Sequence, residues 1–189
     1  MKINDKKLIQ IIKKGGIGVL PTDTLFGLVG SAFSKKVVEK IYQLKKRNPP
    51  SPCIILISSV KDLKKFDIKL DKSSKEFLQK NWPGKISAVL PCSNKKFEYL
   101  HRGTKSLAFR LPNKEGLMHL IKKTGPLVAP SANPEKAEPA KNIAEAKKYF
   151  GNEANFYIKG RASDSTHSTL IKFEKGKIEV LRKGAGKIK

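Results

Sequence analysis

The spacing of apolar positions along the chain changes several times, and each change marks an element. Leu8, Ile9, Ile11 and Ile12 recur at helical spacing after Asn4, a residue suited to capping, and the Gly15-Gly16 pair ends the run. This predicts a first helix. In Ile17 to Ser31, IGVLPTDTLFGLVGS, an apolar run stops at Pro21, gives way to Thr22, Asp23 and Thr24, and then continues. That pattern predicts a buried strand whose exit loop presents short polar side chains. Val37, Val38, Ile41, Tyr42 and Leu44 return to helical spacing among lysines, which predicts an amphipathic helix over 35–46 packed on the first strand. Lys45, Lys46, Arg47, Asn48, Pro49 and Pro50 end it, and the two prolines leave its last basic side chains at a loop edge.

The unbroken run CIILI at 53–57 reads as a central strand buried on both faces, with the Ile17 strand as its neighbour. Ser73 and Glu76 have capping-box spacing ahead of Phe77 and Leu78, and Asn81, Trp82, Pro83 and Gly84 spell a turn. Strands follow at 86–90 and 107–111. Within the second, Arg110 is the one charge in the apolar stretch SLAFRLP, a placement that calls for a partner or a ligand. A helix capped by Asn113 carries Leu117, Met118, Leu120 and Ile121, and a short strand at 127–129 leads into Pro130, Ser131, Ala132, Asn133 and Pro134. A helix at 140–150, a strand at 155–158 and a hairpin of 168–173 with 178–181 about Lys175-Gly176 complete the pattern. The alternation predicts an α/β fold, and 189 residues without a repeat, linker or low-complexity block predict a single domain over 1–189.

Charge changes this picture most. Forty Lys plus Arg against 16 Asp plus Glu give a formal net charge of +24, which points to a polyanionic partner such as nucleic acid, to an anionic substrate, or to both. Cys53 and Cys92 lack paired or CxxC spacing, so neither a disulfide framework nor a structural zinc site is expected, and a reducing cytoplasm fits. The basic N-terminus has an apolar segment too short and too interrupted for a signal peptide or a membrane span.

The polar groups at strand exits and helix ends are of one kind: hydroxyls and amides at 22–24, 131–133 and 168–169, and cations at Lys45, Arg47 and Arg110. Such groups donate to phosphate oxygens and carboxylates, so they suit a site for a nucleotide plus an amino acid. No carboxylate pair or histidine-centred triad is evident, and no P-loop or GxGxxG turn follows a strand.

In that order and at similar spacing, PTDTLFGL, the KxR of Lys45 to Arg47, WPG at 82–84, SLAFRLP, PSAN at 130–133, STLI at 168–171 and LRKG at 181–184 resemble the YrdC/Sua5/TsaC family. The resemblance runs from about Gly16 to Gly184. It implies a twisted mixed sheet with flanking helices and a basic concave cavity, the YrdC-like or DHBP-synthase-like fold, in its short form. It also implies a threonylcarbamoyl-AMP synthase, a nucleotidyltransferase that combines L-threonine, bicarbonate and ATP, with Mg²⁺ on the ATP phosphates. Pyrophosphate is released, and a separate transferase carries the threonylcarbamoyl group to tRNA for the t6A37 modification.

Carried over residue by residue, the family's KxR and SxN tetrad falls on Lys45, Arg47, Ser131 and Asn133, implied to do the catalytic work. Thr22, Thr24 and Arg110 are implied for threonine; Arg47, Ser106, Ser131, Asn133, Ser168 and Arg182 for ATP; none for a resident metal. The chain departs from the family where KxRPxxKP reads KKRNPPSP, placing Ser51 where a lysine is common, where Leu56 replaces a polar residue, and where SANLSG reads SANPEK. Two other readings remain: a non-catalytic RNA- or tRNA-binding protein on the same fold, and a carbamoyl-adenylate enzyme of the hydrogenase-maturation type, which the chain length disfavours.

Overall fold

A computed structural model describes residues 1–47, 51–163, 166–174 and 177–189. Its first feature is a hairpin. Strand β1, Gly18–Pro21, pairs antiparallel with β2, Phe26–Ser31, so that Pro21 faces Phe26 across a four-residue turn. The expected exit loop is therefore a hairpin turn, closed where Thr22 donates from N and from Oγ1 to the Leu25 carbonyl, at 3.1 and 2.7 Å. Both strands are buried along nearly their whole length, so neither shows the polar alternation that would have separated them in the sequence.

The remaining strands are β3, Ile54–Leu56; β4, Ile86–Pro91; β5, Ser106–Arg110; β6, Leu127–Val128; β7, Phe156–Tyr157; β8, Thr169–Glu174; and β9, Lys177–Arg182. Among the described residues they form one mixed sheet in the order β7-β1-β2-β6-β3-β5-β4-β8-β9. The 53–57 run is central, as its burial pattern requires, but its neighbour is not the Ile17 strand. The two-residue β6 lies between, because Val128 pairs with Gly30 on one side and with Ile55 on the other. The expected hairpin of β8 and β9 forms, and its Lys175-Gly176 turn lies outside the described residues.

Helices cover both faces. On one side α1, Lys6–Lys13, and α5, Glu115–Thr124, place Leu8, Ile12, Leu117, Leu120 and Ile121 against Leu20, Val29, Leu56 and Leu127 of the sheet. On the other, α2, Lys35–Lys45, buries Val37, Val38, Ile41 and Tyr42 in the larger core together with residues from α3, Lys72–Asn81, α4, Glu98–His101, and α6, Ile143–Phe150. A β-carbon on Gly30 would lie 2.4 Å from Val37 Cγ1, so the glycine lets α2 sit directly on β2 rather than on β1. That close seating fixes where the C-terminal end of α2 delivers Lys45.

Three helix starts differ from expectation. Asp5, not Asn4, caps α1 by accepting from the Lys7 N–H. Asp71 caps α3 by accepting from the Ser74 N–H at 2.7 Å, displacing the Ser73–Glu76 capping box. In both cases the carboxylate sits immediately before the first helical residue, the position from which a side chain reaches the free N–H groups, whereas Asn4 lies one residue too early and Ser73 is already inside the helix. Asn113 does not cap α5; its N–H instead donates to Asp23 Oδ2 at 3.1 Å, a contact that turns out to matter for the site. Among the described residues no helix is long and apolar enough to cross a membrane.

Candidate functional site

The β1–β2 turn is polar and yet buried: Thr22, Asp23 and Thr24 are at most 4% exposed. Buried polar groups must be paired, and Arg110 at the end of β5 supplies the pairing. Its Nη1 donates to Thr24 Oγ1 at 2.8 Å, its Nη2 reaches Thr22 Oγ1 at 3.5 Å, and Nη2 lies 3.1 Å from Asp23 Oδ1 in a buried ion pair. Lys114 adds a second cation to the turn by donating to the Thr22 and Arg161 carbonyls. Burial pushes the Arg110 guanidinium below its ordinary value, and the Asp23 carboxylate opposes that shift. Arg110 Nε and Asp23 Oδ1 are buried without an aligned hydrogen bond among the described residues, the Oδ1 contact being one of charge alone.

A second wall is organised by Lys45. The residue is 2% exposed and its ammonium turns inward, donating to the Ser131 carbonyl at 2.6 Å and the Asn133 carbonyl at 2.5 Å, with Asn133 Oδ1 at 3.4 Å. Asn133 Nδ2 donates in turn to the carbonyls of Pro134 and Ala137, so the segment after β6 is held at both ends. Burial first, and the nearby Arg47 charge second, push Lys45 down to about 8. Arg47 donates from Nε to the Ser51 carbonyl at 2.8 Å and from Nη2 to that of Pro52 at 3.4 Å.

The third wall comes from the β8–β9 hairpin. Ser168 shares a 2.8 Å hydrogen bond with Ser87 Oγ, and its carbonyl accepts from Arg182 Nη2 at 3.0 Å. His167 stands beside it; burial, then the charges of Arg182, Lys45 and Arg110, push its imidazole down, so it is neutral at pH 7.

These walls enclose one cavity of about 300 Å³. Thr22, Thr24, Lys45, Arg47, Arg110, Ser131, Asn133, Ser168 and Arg182 all line it. Of the expected site residues, Ser106 alone is not brought there: it begins β5 while Arg110 ends it, and its hydroxyl contacts Thr104. His167, Glu135 and Lys136 also line the cavity and escaped the sequence reading. For His167 a signal existed, a histidine directly before the Ser-Thr that opens a strand.

Such a cavity offers hydroxyls and a guanidinium at one end and amides and cations at the other, enough to hold a small zwitterion beside a polyphosphate. Comparison with known proteins agrees with that chemistry. A family model named for Sua5, YciO and YrdC and described as telomere recombination matches residues 10–184. A threonylcarbamoyl-AMP synthase of Cellvibrio japonicus is 26% identical over 166 residues, which are 86% of this chain and 87% of that protein. One of Bacillus subtilis is 27% identical over 177 residues, 90% of this chain and 51% of its own length. The crystal structure of Pyrococcus abyssi Sua5 complexed with L-threonine superposes with a TM-score of 0.87 at 26% identity, covering 94% of this chain and 53% of that one.

Proposed function

Since this chain belongs to the Sua5–YciO–YrdC family, we propose that it is an L-threonylcarbamoyladenylate synthase, a nucleotidyltransferase that joins L-threonine, bicarbonate and ATP with release of pyrophosphate. The observation that carries this reading is the meeting in one cavity of Thr22, Thr24 and Arg110 with Lys45, Arg47, Ser131, Asn133, Ser168 and Arg182. Threonine lies at the Thr22–Thr24 end, where Arg110 faces its carboxylate. Its amine and bicarbonate form a carbamate and water, and the carbamate oxygen then attacks the α-phosphorus of ATP.

No side-chain nucleophile is required for that sequence. The protein supplies proximity of three reactants and fixed donors for charge developing on the α-phosphate, both large contributions to rate. Arg47 and Arg182 face the phosphates, and Lys45 keeps the 131–133 segment in place beneath them while adding its own charge. The residues do not fit a resident metal ion. Glu135 is the one acid among the described lining residues, and no group of three or more His, Cys, Asp or Glu among the described residues could hold an ion. Magnesium is expected on the ATP phosphates, where it commonly binds.

Pure protein supplied with ATP, Mg²⁺ and bicarbonate is expected to release pyrophosphate only when threonine is added. Pyrophosphate release at the same rate without threonine would refute the reading. For the tRNA partner, the net charge of +24 predicts contact dominated by phosphates. Binding of tRNA should then weaken on the order of 10³-fold between about 50 and about 200 mM salt, measured by filter retention. Binding indifferent to salt would contradict an electrostatic contact. A separate transferase completes the pathway by moving the threonylcarbamoyl group to tRNA.

A further inference from the structure

Arg47 draws its support from the chain that shortly follows it, and that support has a second point of attachment. The Ser51 carbonyl accepts two hydrogen bonds, from Arg47 Nε at 2.8 Å and from the Tyr42 hydroxyl at 2.9 Å. A carbonyl oxygen has two lone pairs, so both bonds form together. We infer that Tyr42 is a positioning residue for Arg47, acting through the shared Ser51 carbonyl to fix the guanidinium in the phosphate end of the cavity.

Tyr42 is suited to such a role by what surrounds it. It is 6% exposed, within α2, and the Arg102 guanidinium lies over its ring at 3.9 Å from the centroid, itself held by Glu39 at 3.0 Å. The ring is thus clamped between the helix and a cation, and its hydroxyl, beside the Cys53 thiol, reaches the Ser51 carbonyl. Burial pushes the phenol well above its ordinary range, so the hydroxyl stays protonated and remains a donor. Without that tether the 51–52 carbonyls would be anchored to α2 through Arg47 itself, the group they are meant to orient. The departure from the family pattern at Ser51 is consistent with this arrangement: what the site uses at this position is a backbone carbonyl, which any residue provides.

The inference rests on the proposed function for its consequence in catalysis but not for its geometry, and the test separates the two. Tyr42→Phe keeps the ring volume and the stacking with Arg102 while removing the hydroxyl. In the unliganded full chain, exchange of the Arg47 Nε proton with solvent, followed by nitrogen-edited NMR, is expected to quicken about tenfold in Tyr42→Phe, with core amides of β1 and β2 unchanged. In turnover assays the KM for ATP should rise about five- to tenfold while the KM for threonine holds, and Tyr42→Phe should add nothing further in an Arg47→Lys background. Unaltered Nε exchange, or quickening spread equally over the core amides, would overturn the role, as would a full effect of Tyr42→Phe in the Arg47→Lys background. Wild-type protein that retains protected Nε exchange but shows no threonine-dependent turnover would count against the proposed function alone.

Discussion

Replacing Arg110 by methionine is expected to lower the free energy of unfolding by about 3–5 kcal/mol and to abolish saturable threonine binding. The size of the first effect follows from what the substitution strands. Asp23 is 1% exposed, and its Oδ1 has Arg110 as its ion-pair partner at 3.1 Å. Removing the guanidinium leaves a carboxylate in the interior without its ion-pair partner, beside two threonine hydroxyls that have lost the Arg110 donors. The double variant Asp23→Asn, Arg110→Met should recover much of the stability, since the buried charge is gone, yet still fail to bind threonine. Urea unfolding and calorimetric titration separate these outcomes. A loss below about 1 kcal/mol in the single variant would mean that Asp23 finds water or another cation, Lys114 being the nearest candidate.

Lys45→Met should have the opposite profile, with kcat/KM falling on the order of 10²- to 10³-fold and stability changing by no more than about 2 kcal/mol. The ammonium holds the Ser131 and Asn133 carbonyls, so its loss loosens the 131–133 segment of the cavity wall, whereas removal of a buried charge relieves a desolvation cost that offsets the broken hydrogen bonds. The pH dependence gives a sharper signature. Lys45 titrates near 8 in the folded chain against 10.5 as its ordinary value. Between those values the unfolded chain binds more protons than the folded one, so Lys45's contribution to stability rises with pH. Over the same interval its charge disappears from the cavity, so turnover falls. Wild-type kcat/KM should therefore decline as pH passes about 8 while the stability difference between wild type and Lys45→Met shifts in favour of wild type. Turnover that stays level to pH 10 would show that the Lys45 charge is not used.

The contrast between the two cations shows how far residue patterns reach. Arg110 announces itself in the sequence, because a lone charge in SLAFRLP has to be paired, and Asp23 and the two threonines do pair it. Lys45 and Arg47, as the basic end of an amphipathic helix before two prolines, look like a solvated terminus until Gly30 is seen to seat that helix against β2 and turn Lys45 inward. The family resemblance, not periodicity, singled them out.

Long-range pairing is the part that local pattern could not supply. The insertion of the two-residue β6 between β2 and β3 depends on Val128 meeting both Gly30 and Ile55, which lie far earlier in the chain. Ser106 and Arg110 occupy one strand, and four steps along it are about 13 Å, so a motif that reads as continuous delivers its two polar ends to different places. Helix caps failed for a simpler reason: at the starts of α1 and α3 several Asx or Ser residues competed and the carboxylate immediately before the helix prevailed, while at α5 Asn113 was drawn to Asp23 instead.

The polar stretch at Thr22 to Thr24 is the feature on which the proposed function depends, as the proposed threonine end of a cavity whose other end is proposed to take ATP. The most direct measurement supplies carbon-13 bicarbonate together with threonine, ATP and Mg²⁺, and follows the adenylate product by mass spectrometry. The account predicts one labelled carbon in a threonylcarbamoyl-AMP whose yield matches the pyrophosphate released. An adenylate without the label, or label incorporated equally by a Thr24→Ala, Arg110→Met variant, would contradict it.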